Sequence, residues 1–413
     1  MKYVVVLGDG MADRPVPELG NRTPLQAAHK PNIDSLAKTG FLGMVQTVPT
    51  GMKPGSDTAN LAAMGYDPRV CYTGRSPLEA VSMGIKLKDT DVTYRCNLVT
   101  LDEGGLGNGI MKDYSSGEIT TAESRELVTF LAEKLNEEGF NLYPGVSYRH
   151  CLVWDGGSTN VTLTPPHDIL GKNTADYLPK GEGAERLLKL MRDSEKLLRD
   201  HPVNAARRSA GKNTADSLWA WGEGTKPAIQ SFRELRGLNG AVISAVDLLK
   251  GIGISAGMES IDVEGATGTL NTNFSGKAEA AIDAFRRGAD FVFIHMEAPD
   301  ECGHQADIEG KVRSIELIDE KVVGRLLKEL PAVCGEFSML VMPDHPTPIE
   351  IRTHCGDPVP FMIWRSGRDC GNGADRYDEA AAEATGVFVP SGAELMDRFL
   401  GKMNTENLTM NNE

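Results

Sequence analysis

Six short apolar runs constrain this 413-residue chain more than any other feature of its sequence. They are Tyr3–Leu7, Phe41–Val45, Gly240–Ser244, Asp290–Met296, Phe337–Met342 and Val359–Trp364. Nearly every position in them is apolar, without polar alternation, so they read as strands buried on both faces. Helical patterns fall between them: Pro24–Thr39, a helix start at Asp247–Gly251, Ala278–Arg287, the long amphipathic Ile308–Leu330, and Ala393–Leu400 at the end. Strands alternating with helices predict an α/β fold on one mostly parallel sheet covered by helices on both faces. Ligands of such sheets bind outside the carboxyl ends of the strands. The loop Gly8-Asp9-Gly10-Met11 stands at that end of the first strand.

A chain of this length exceeds the usual single core, so two domains are expected. From about residue 90 the texture changes. Val92–Leu101 reads as a strand, Gly104–Gly107 as a turn, Thr121–Glu138 as a helix and Ser147–Trp154 as a strand, with no phosphate-binding loop among them. The expected organisation is therefore a discontinuous core, 1–89 and 228–413, interrupted by a smaller α+β domain over 90–227. Within the insertion one hexapeptide occurs twice, Gly171–Asp176 and Gly211–Asp216, without repetition of a larger unit. Glu185–Arg199 between the copies reads as a solvated helix, and the polar tail from Gly401 is expected to fray.

Charge and cysteine usage exclude several classes. A formal net charge of −15 argues against nucleic acid and anionic membranes as partners. No apolar run approaches the roughly 20 residues of a membrane span. The N-terminus enters a strand directly, without a signal peptide, and the seven cysteines show no C-x-x-C spacing. A cytoplasmic protein is expected. An anionic substrate would require the site to supply its own positive field from metal ions and a few Arg or Lys side chains.

The residues with chemistry gather around one segment, Pro54–Pro68. Pro54-Gly55 is a turn signal, and Ser56 stands at the expected N-cap of a short Ala/Leu/Met-rich helix that Gly65 and Pro68 close. A hydroxyl there meets free backbone N–H groups and the positive end of the helix dipole, which suits a phosphate. Alone, Ser56 is an ordinary capping serine and Asp9 an ordinary turn aspartate. The company changes that reading. Asp300 and His304 are spaced i, i+4 on a helical turn, Asp344-His345 follows a buried strand, and His354 precedes another. With Asp9 these make three aspartates and three histidines, most of them at strand ends. Adding Ser56 gives a donor set suited to two divalent cations of the Zn or Mn type, beside a serine able to become phosphorylated.

These motifs carry a resemblance. Val5–Met11, the Ser56 segment, Ala298–His304, Pro343–His345 and His354–Pro360 resemble the cofactor-independent phosphoglycerate mutases, most closely their short archaeal-type branch within the alkaline phosphatase superfamily. The resemblance implies an alkaline-phosphatase-like core with an inserted cap. It implies one metal on Asp300, His304 and His354 and another on Asp9, Ser56, Asp344 and His345. Cys302 and Cys355 are bystanders in these motifs. The metals would be Mn, Zn or Mg, and no 2,3-bisphosphoglycerate would be needed. For substrate charge the candidates are Arg149 and His150, Arg207 with its neighbour Arg208, and Lys250.

The expected activity is isomerisation of 3-phosphoglycerate to 2-phosphoglycerate through a phosphoserine at Ser56, in a cavity that excludes water. The partner is then a small phosphorylated hydroxy acid. The alternative is phosphoryl transfer to another small acceptor such as homoserine, although no G-x-x-x-x-G-K-[ST] loop is present to cradle a nucleotide. A purely structural metal scaffold would have no use for a serine among its ligands.

Overall fold

The computed structural model describes residues 1–402, so all but the first two residues of the polar tail lie outside it. The described chain divides into two compact units. One comprises residues 1–72 and those from Ala228 onward; the other is Thr73–Pro227.

The first unit is built on an eight-stranded sheet. Its strands are β1 (Lys2–Gly8), β2 (Phe41–Val45), β3 (Gly240–Ile243), β4 (Glu259–Ile261), β5 (Phe291–Met296), β6 (Phe337–Met342), β7 (Val359–Arg365) and β8 (Phe388–Val389). They lie in the order β4-β3-β5-β1-β6-β7-β2-β8. Every pairing is parallel except those of β7, which runs against both β6 and β2. Side chains alternate across the sheet. Val4 and Val6 join a core cluster with the Phe274–Arg286 helix and the helices that follow Asp307, whereas Val5 and Leu7, equally buried, point to the opposite face. Tyr3 on that second face packs edge-on against Phe399 of the Gly392–Phe399 helix. Both faces are thus covered, which is why these strands carry no polar alternation.

Register places the carboxyl ends level. Gly8 of β1 pairs with Met296 of β5, and Leu7 with Met342 of β6. Asp9, Glu297 and Asp344 therefore emerge at one rim. Because β7 is reversed, its beginning and not its end reaches that rim, with Val359 beside Val45 of β2. The loop bearing His354 precedes it.

The expected Ile308–Leu330 helix is one helical path with a change of pitch. Ile308–Leu317 and Gly324–Cys334 are α-helical, and Ile318–Val323 between them is a π-helical turn. The turn carries buried Asp319, whose carboxylate accepts the backbone N–H of Ile33 at 2.6 Å and the Asn32 side chain at 2.8 Å. Asp319 thereby caps the Pro31–Ala37 helix, whose own N-cap residue, Lys30, makes no capping bond.

The second unit is an antiparallel sheet centred on the long strand Asp91–Leu101. That strand pairs with Arg149–Asp155 and Met111–Asp113 along one edge and Ser217–Thr225 along the other, and Phe140–Val146 extends the sheet. Leu127 and Leu131 of the Thr121–Leu135 helix, with Leu187 and Met191 of Ala184–Leu198, fill its core. The unit begins before residue 90 because the Ser76–Ser82 helix belongs to it: Ser76 Oγ donates to Thr93 O at 3.0 Å and Glu79 pairs with Arg95 at 2.9 Å. The two hexapeptides start alike, with Gly171 and Gly211 at φ 75° and 67°, and then part. The first runs beside Met111, and the second leads into the strand at Ser217.

Candidate active site

Ser56 is the first residue of the Ser56–Ala63 helix, and Gly55 is its N-cap with extended backbone and no side-chain capping bond. This corrects the expectation that Ser56 caps the helix. Its hydroxyl lies instead 3.1 Å from His345 Nε2. The helix closes as the sequence indicates: Gly65 (φ 87°) sends its N–H to Ala62 O, and Tyr66 sends its own to Leu61 O. A Cβ on Gly65 would fall 2.6 Å from Met396, so glycine is required there twice over.

The rim gathers all seven predicted donors. Candidate metal-ligating atoms fall into three groups, in each of which they lie within 4.8 Å of one another: Asp300 with His304 and His354, Asp9 with His295 and Asp344, and Asp9 with Asp300 and His345. His304 Nε2 lies 3.2 Å from Asp300 Oδ2 and 3.0 Å from His354 Nε2. His345 Nε2 stands 3.3 Å from Asp344 Oδ2 and 3.5 Å from Asp9 Oδ1.

Neighbours set the tautomers. His304 Nδ1 is 3.0 Å from the Arg352 carbonyl, which can only accept, so Nδ1 carries a proton and Nε2 is the nitrogen turned toward Asp300, free to face a cation once it gives up its own proton. Thr347 does the same for His345. Its hydroxyl donates to Asp300 Oδ1, and its oxygen, 3.3 Å from His345 Nδ1, accepts that ring's proton. Asp344 is held as firmly, accepting from the backbone N–H groups of Gly10 at 3.1 Å and His345 at 2.9 Å and from the Asn60 side chain at 2.7 Å. Gly10 sits so close that a Cβ there would lie 2.5 Å from Thr347 Oγ1.

The charges are unbalanced. Burial, reinforced by Asp344 and Asp300, raises the Asp9 carboxyl well above the usual range. Burial opposes ionisation of Asp300 too, yet hydrogen bonds from His304 and His354 hold it well below that range. The same bond to Asp300 lifts His304 to about 9, whereas burial lowers His345. Asp9 Oδ1 is buried without a hydrogen-bond partner. Three carboxylates crowded together, an orphaned buried oxygen and imidazole Nε2 atoms turned toward them fit divalent cations. Cys302 and Cys355 stand apart from this chemistry, the first pushed up to about 11 and the second also raised, each by burial.

The remaining predicted residues are placed differently. Lys250, in the first unit, is paired with Asp262 at 2.6 Å. In the second unit Arg149 is exposed, its guanidinium over the Tyr148 ring, with no ion pair among the described residues. His150 points the other way along its strand and is buried, its Nδ1 accepting the Gly145 N–H at 3.0 Å. Burial, with Arg149 adjacent, lowers it to about 3, so it stays neutral and is a poor proton shuttle. Arg207 is buried as well: its three nitrogens donate to Asn213 O, Glu123 and Ser116 O, a structural use that replaces the substrate role expected of it. Arg208 donates to Arg199 O at the surface.

Four further residues support the site without having been singled out from the sequence: Asn60, His295, Glu297 and Thr347. Asn60 follows Ser56 by one helical turn, and His295 is a lone imidazole in an apolar strand; both patterns were readable. Thr347 had no signal, since only the turn after β6 brings it back to Asp300.

A family model described as 2,3-bisphosphoglycerate-independent phosphoglycerate mutase matches residues 37–204. A probable 2,3-bisphosphoglycerate-independent phosphoglycerate mutase of Geobacter sulfurreducens is 48% identical over 402 residues, covering 97% of this chain and 100% of its own. A 2,3-bisphosphoglycerate-independent phosphoglycerate mutase of Methanothrix thermoacetophila is 50% identical over 396 residues, 96% of this chain and 98% of its own. Among solved structures, a Pyrococcus horikoshii protein superposes with a TM-score of 0.81 at 29% identity over 98% of both chains. Identity at this level along nearly the whole length, on a rim so furnished, assigns the family: the chain belongs to the 2,3-bisphosphoglycerate-independent phosphoglycerate mutases.

Proposed function

We infer that this protein interconverts 3-phosphoglycerate and 2-phosphoglycerate, with Ser56 as the nucleophile and without 2,3-bisphosphoglycerate. The observation that carries the reading is the Ser56 hydroxyl, free of any capping duty and 3.1 Å from His345 Nε2 at a rim of carboxylates and imidazoles. Asp300, His304 and His354 would hold one divalent ion and Asp9, Asp344, His345 and Ser56 Oγ a second, and such ions supply a lowered hydroxyl pKa and neutralisation of phosphate charge. Ser56 Oγ, giving up its proton, forms a bond to phosphorus as the bond from phosphorus to the 3-oxygen of the substrate breaks, and that oxygen takes up a proton to become the 3-hydroxyl of glycerate. The glycerate so released turns within the site, and its 2-hydroxyl takes the group back from the serine. Asn60 and the Gly10 N–H keep Asp344 fixed throughout. Water must stay out while the phosphoserine persists, or hydrolysis replaces isomerisation. Arg149 and Arg208, both predicted substrate cations, make no ion pair among the described residues, and the relatives' names supply the substrate.

The test is product analysis. Metal-loaded protein given 3-phosphoglycerate and no bisphosphoglycerate should form 2-phosphoglycerate, and the Ser56→Ala variant should lose turnover by orders of magnitude. Its thermal stability should change by less than about 0.5 kcal/mol, because no capping bond is lost. Glycerate and phosphate as the only products, or phosphate trapped on a histidine, would reject the reading.

A further inference from the structure

One buried ion pair of the first unit has no part in the reaction above. Lys311 stands in the first turns of the Ile308–Leu317 helix and is fully buried, and the carboxylate of Asp13 beside it is almost as deep. Its ammonium has three N–H groups and meets three acceptors. They are Asp13 Oδ2 at 2.7 Å, the Thr347 carbonyl at 2.8 Å and, more loosely, the Ala12 carbonyl at 3.4 Å. Asp13 Oδ2 also accepts the Ile349 N–H at 3.2 Å, and the Thr347 N–H donates to the Ala12 carbonyl at 3.3 Å. Three segments thus meet on one ammonium: the loop after β1, the turn after β6 and the helix after Asp307.

General rules place a cation badly here. Burying an ion pair costs more than filling the same space with apolar side chains. The start of a helix is, moreover, the positive end of its dipole. What the pair does is hold Thr347 by its backbone. The hydroxyl of that residue donates to Asp300 Oδ1 and lies 3.3 Å from His345 Nδ1. The Ala298–Gln305 helix, which carries Asp300, closes on the same carbonyl: a Cβ on Gly303 would fall 2.6 Å from Thr347 O. A shift of the Thr347 turn would therefore reach the rim directly.

We propose that Lys311 is a positioning residue for the ion-binding rim: with Asp13 as its counter-ion it fixes the Thr347 turn, so that the Thr347 hydroxyl orients Asp300. The proposal rests on the reading of Asp300 as an ion ligand. Lys311 bonds to none of the seven predicted donors and acts on them through Thr347.

Ion binding, read without turnover, tests this. Cobalt(II)-loaded full-length protein would be titrated with a competing chelator while its visible absorption is followed. Lys311→Met should weaken at least one bound ion by about 10–100-fold, the usual effect of losing an outer partner of a ligand. Thr347→Val should weaken it by a similar factor, whereas Thr347→Ser, which keeps the hydroxyl, should retain most of the affinity. Because the lysine acts through the threonine, the double variant Lys311→Met, Thr347→Val should bind no more weakly than the poorer single variant. Asp13→Asn preserves shape but loosens the hold on the ammonium. It should weaken the same ion, and it takes the place of Lys311→Met in the cycle if the methionine variant does not fold. Wild-type affinity in the variant used would overturn the proposal. So would losses that multiply in the double variant, which would mean that the ion pair supports the fold independently of Thr347. Wild-type protein that takes up no ion would instead sink the reading of Asp300, and the proposal with it.

Discussion

His304 shows how one hydrogen bond makes a residue serve two states of the protein. In the metal-free chain its bond to Asp300 lifts it from 6.5 to about 9. A folded-state value above the unfolded one means that the pair stabilises the fold fully below pH 6.5, and that this contribution is lost as pH rises through about 9. An ion needs the Nε2 lone pair, so its uptake expels the same proton. The two effects have opposite signs. Between pH 6.5 and about 9 the metal-free protein should melt at progressively lower temperature while its affinity for a divalent ion rises. Melting curves with and without chelator across that window check both, and His304→Asn should remove the pair's share of each slope. A melting temperature of the metal-free protein that climbs with pH and is unaltered by the substitution would contradict the assignment.

Among the elements, the six inner strands of the large sheet were legible because burial on both faces leaves continuous apolar runs, and their ends located Asp9, Asp344 and His345; the short edge strands Glu259–Ile261 and Phe388–Val389 carry no such run and were not foreseen. Direction left no such mark. Nothing in Val359–Arg365 distinguishes a reversed strand from a parallel one, although the reversal brings the His354 loop to the rim. Phe140–Val146 was not legible either: Pro144 and Gly145 interrupt it, and its pairing shifts register between Tyr143 and Val146. The π-helical turn within the long helix was hidden for a similar reason, since its use becomes visible only where Asp319 meets Asn32 and Ile33. Removing that carboxylate leaves buried N–H groups without an acceptor. Asp319→Ala should cost about 1–3 kcal/mol, the penalty of an unsatisfied buried donor. A denaturant titration would measure it, and a change under about 0.5 kcal/mol would show that water replaces the cap.

At the scale of the molecule, the site draws on segments from Asp9 to His354, so ion binding and folding of the first unit are coupled. An ion held by the native chain alone adds about 2.7 kcal/mol at 100 times its dissociation constant. Chelation should therefore abolish turnover and lower the melting temperature together, and added Mn should restore both. Full activity after exhaustive chelation would remove the metals from the mechanism. The interruption of the unit by a second one was visible as a change of texture, but the start of that insertion was not. Thr73–Asp89 carries no compositional signal, and its membership follows from contacts such as Ser76 with Thr93. The substrate cations were the least legible feature. An arginine that pairs internally, such as Arg207, and one that rests on a neighbouring ring without an ion pair among the described residues, such as Arg149, look alike until their neighbours are known.

The place of β1 in the middle of its sheet also bears on how the chain is made. Its neighbours on either side, β5 and β6, leave the ribosome long after it does. At about 5–20 residues per second the first strand waits on the order of tens of seconds, apolar and unpaired, before either partner exists. The intervening second unit can form its own sheet during that interval, because all of its strands lie within one continuous stretch of chain. Native chelation of an ion becomes possible only when the His354 loop has been synthesised. A nascent chain of this kind must therefore be kept from aggregating through its first strand for most of its synthesis.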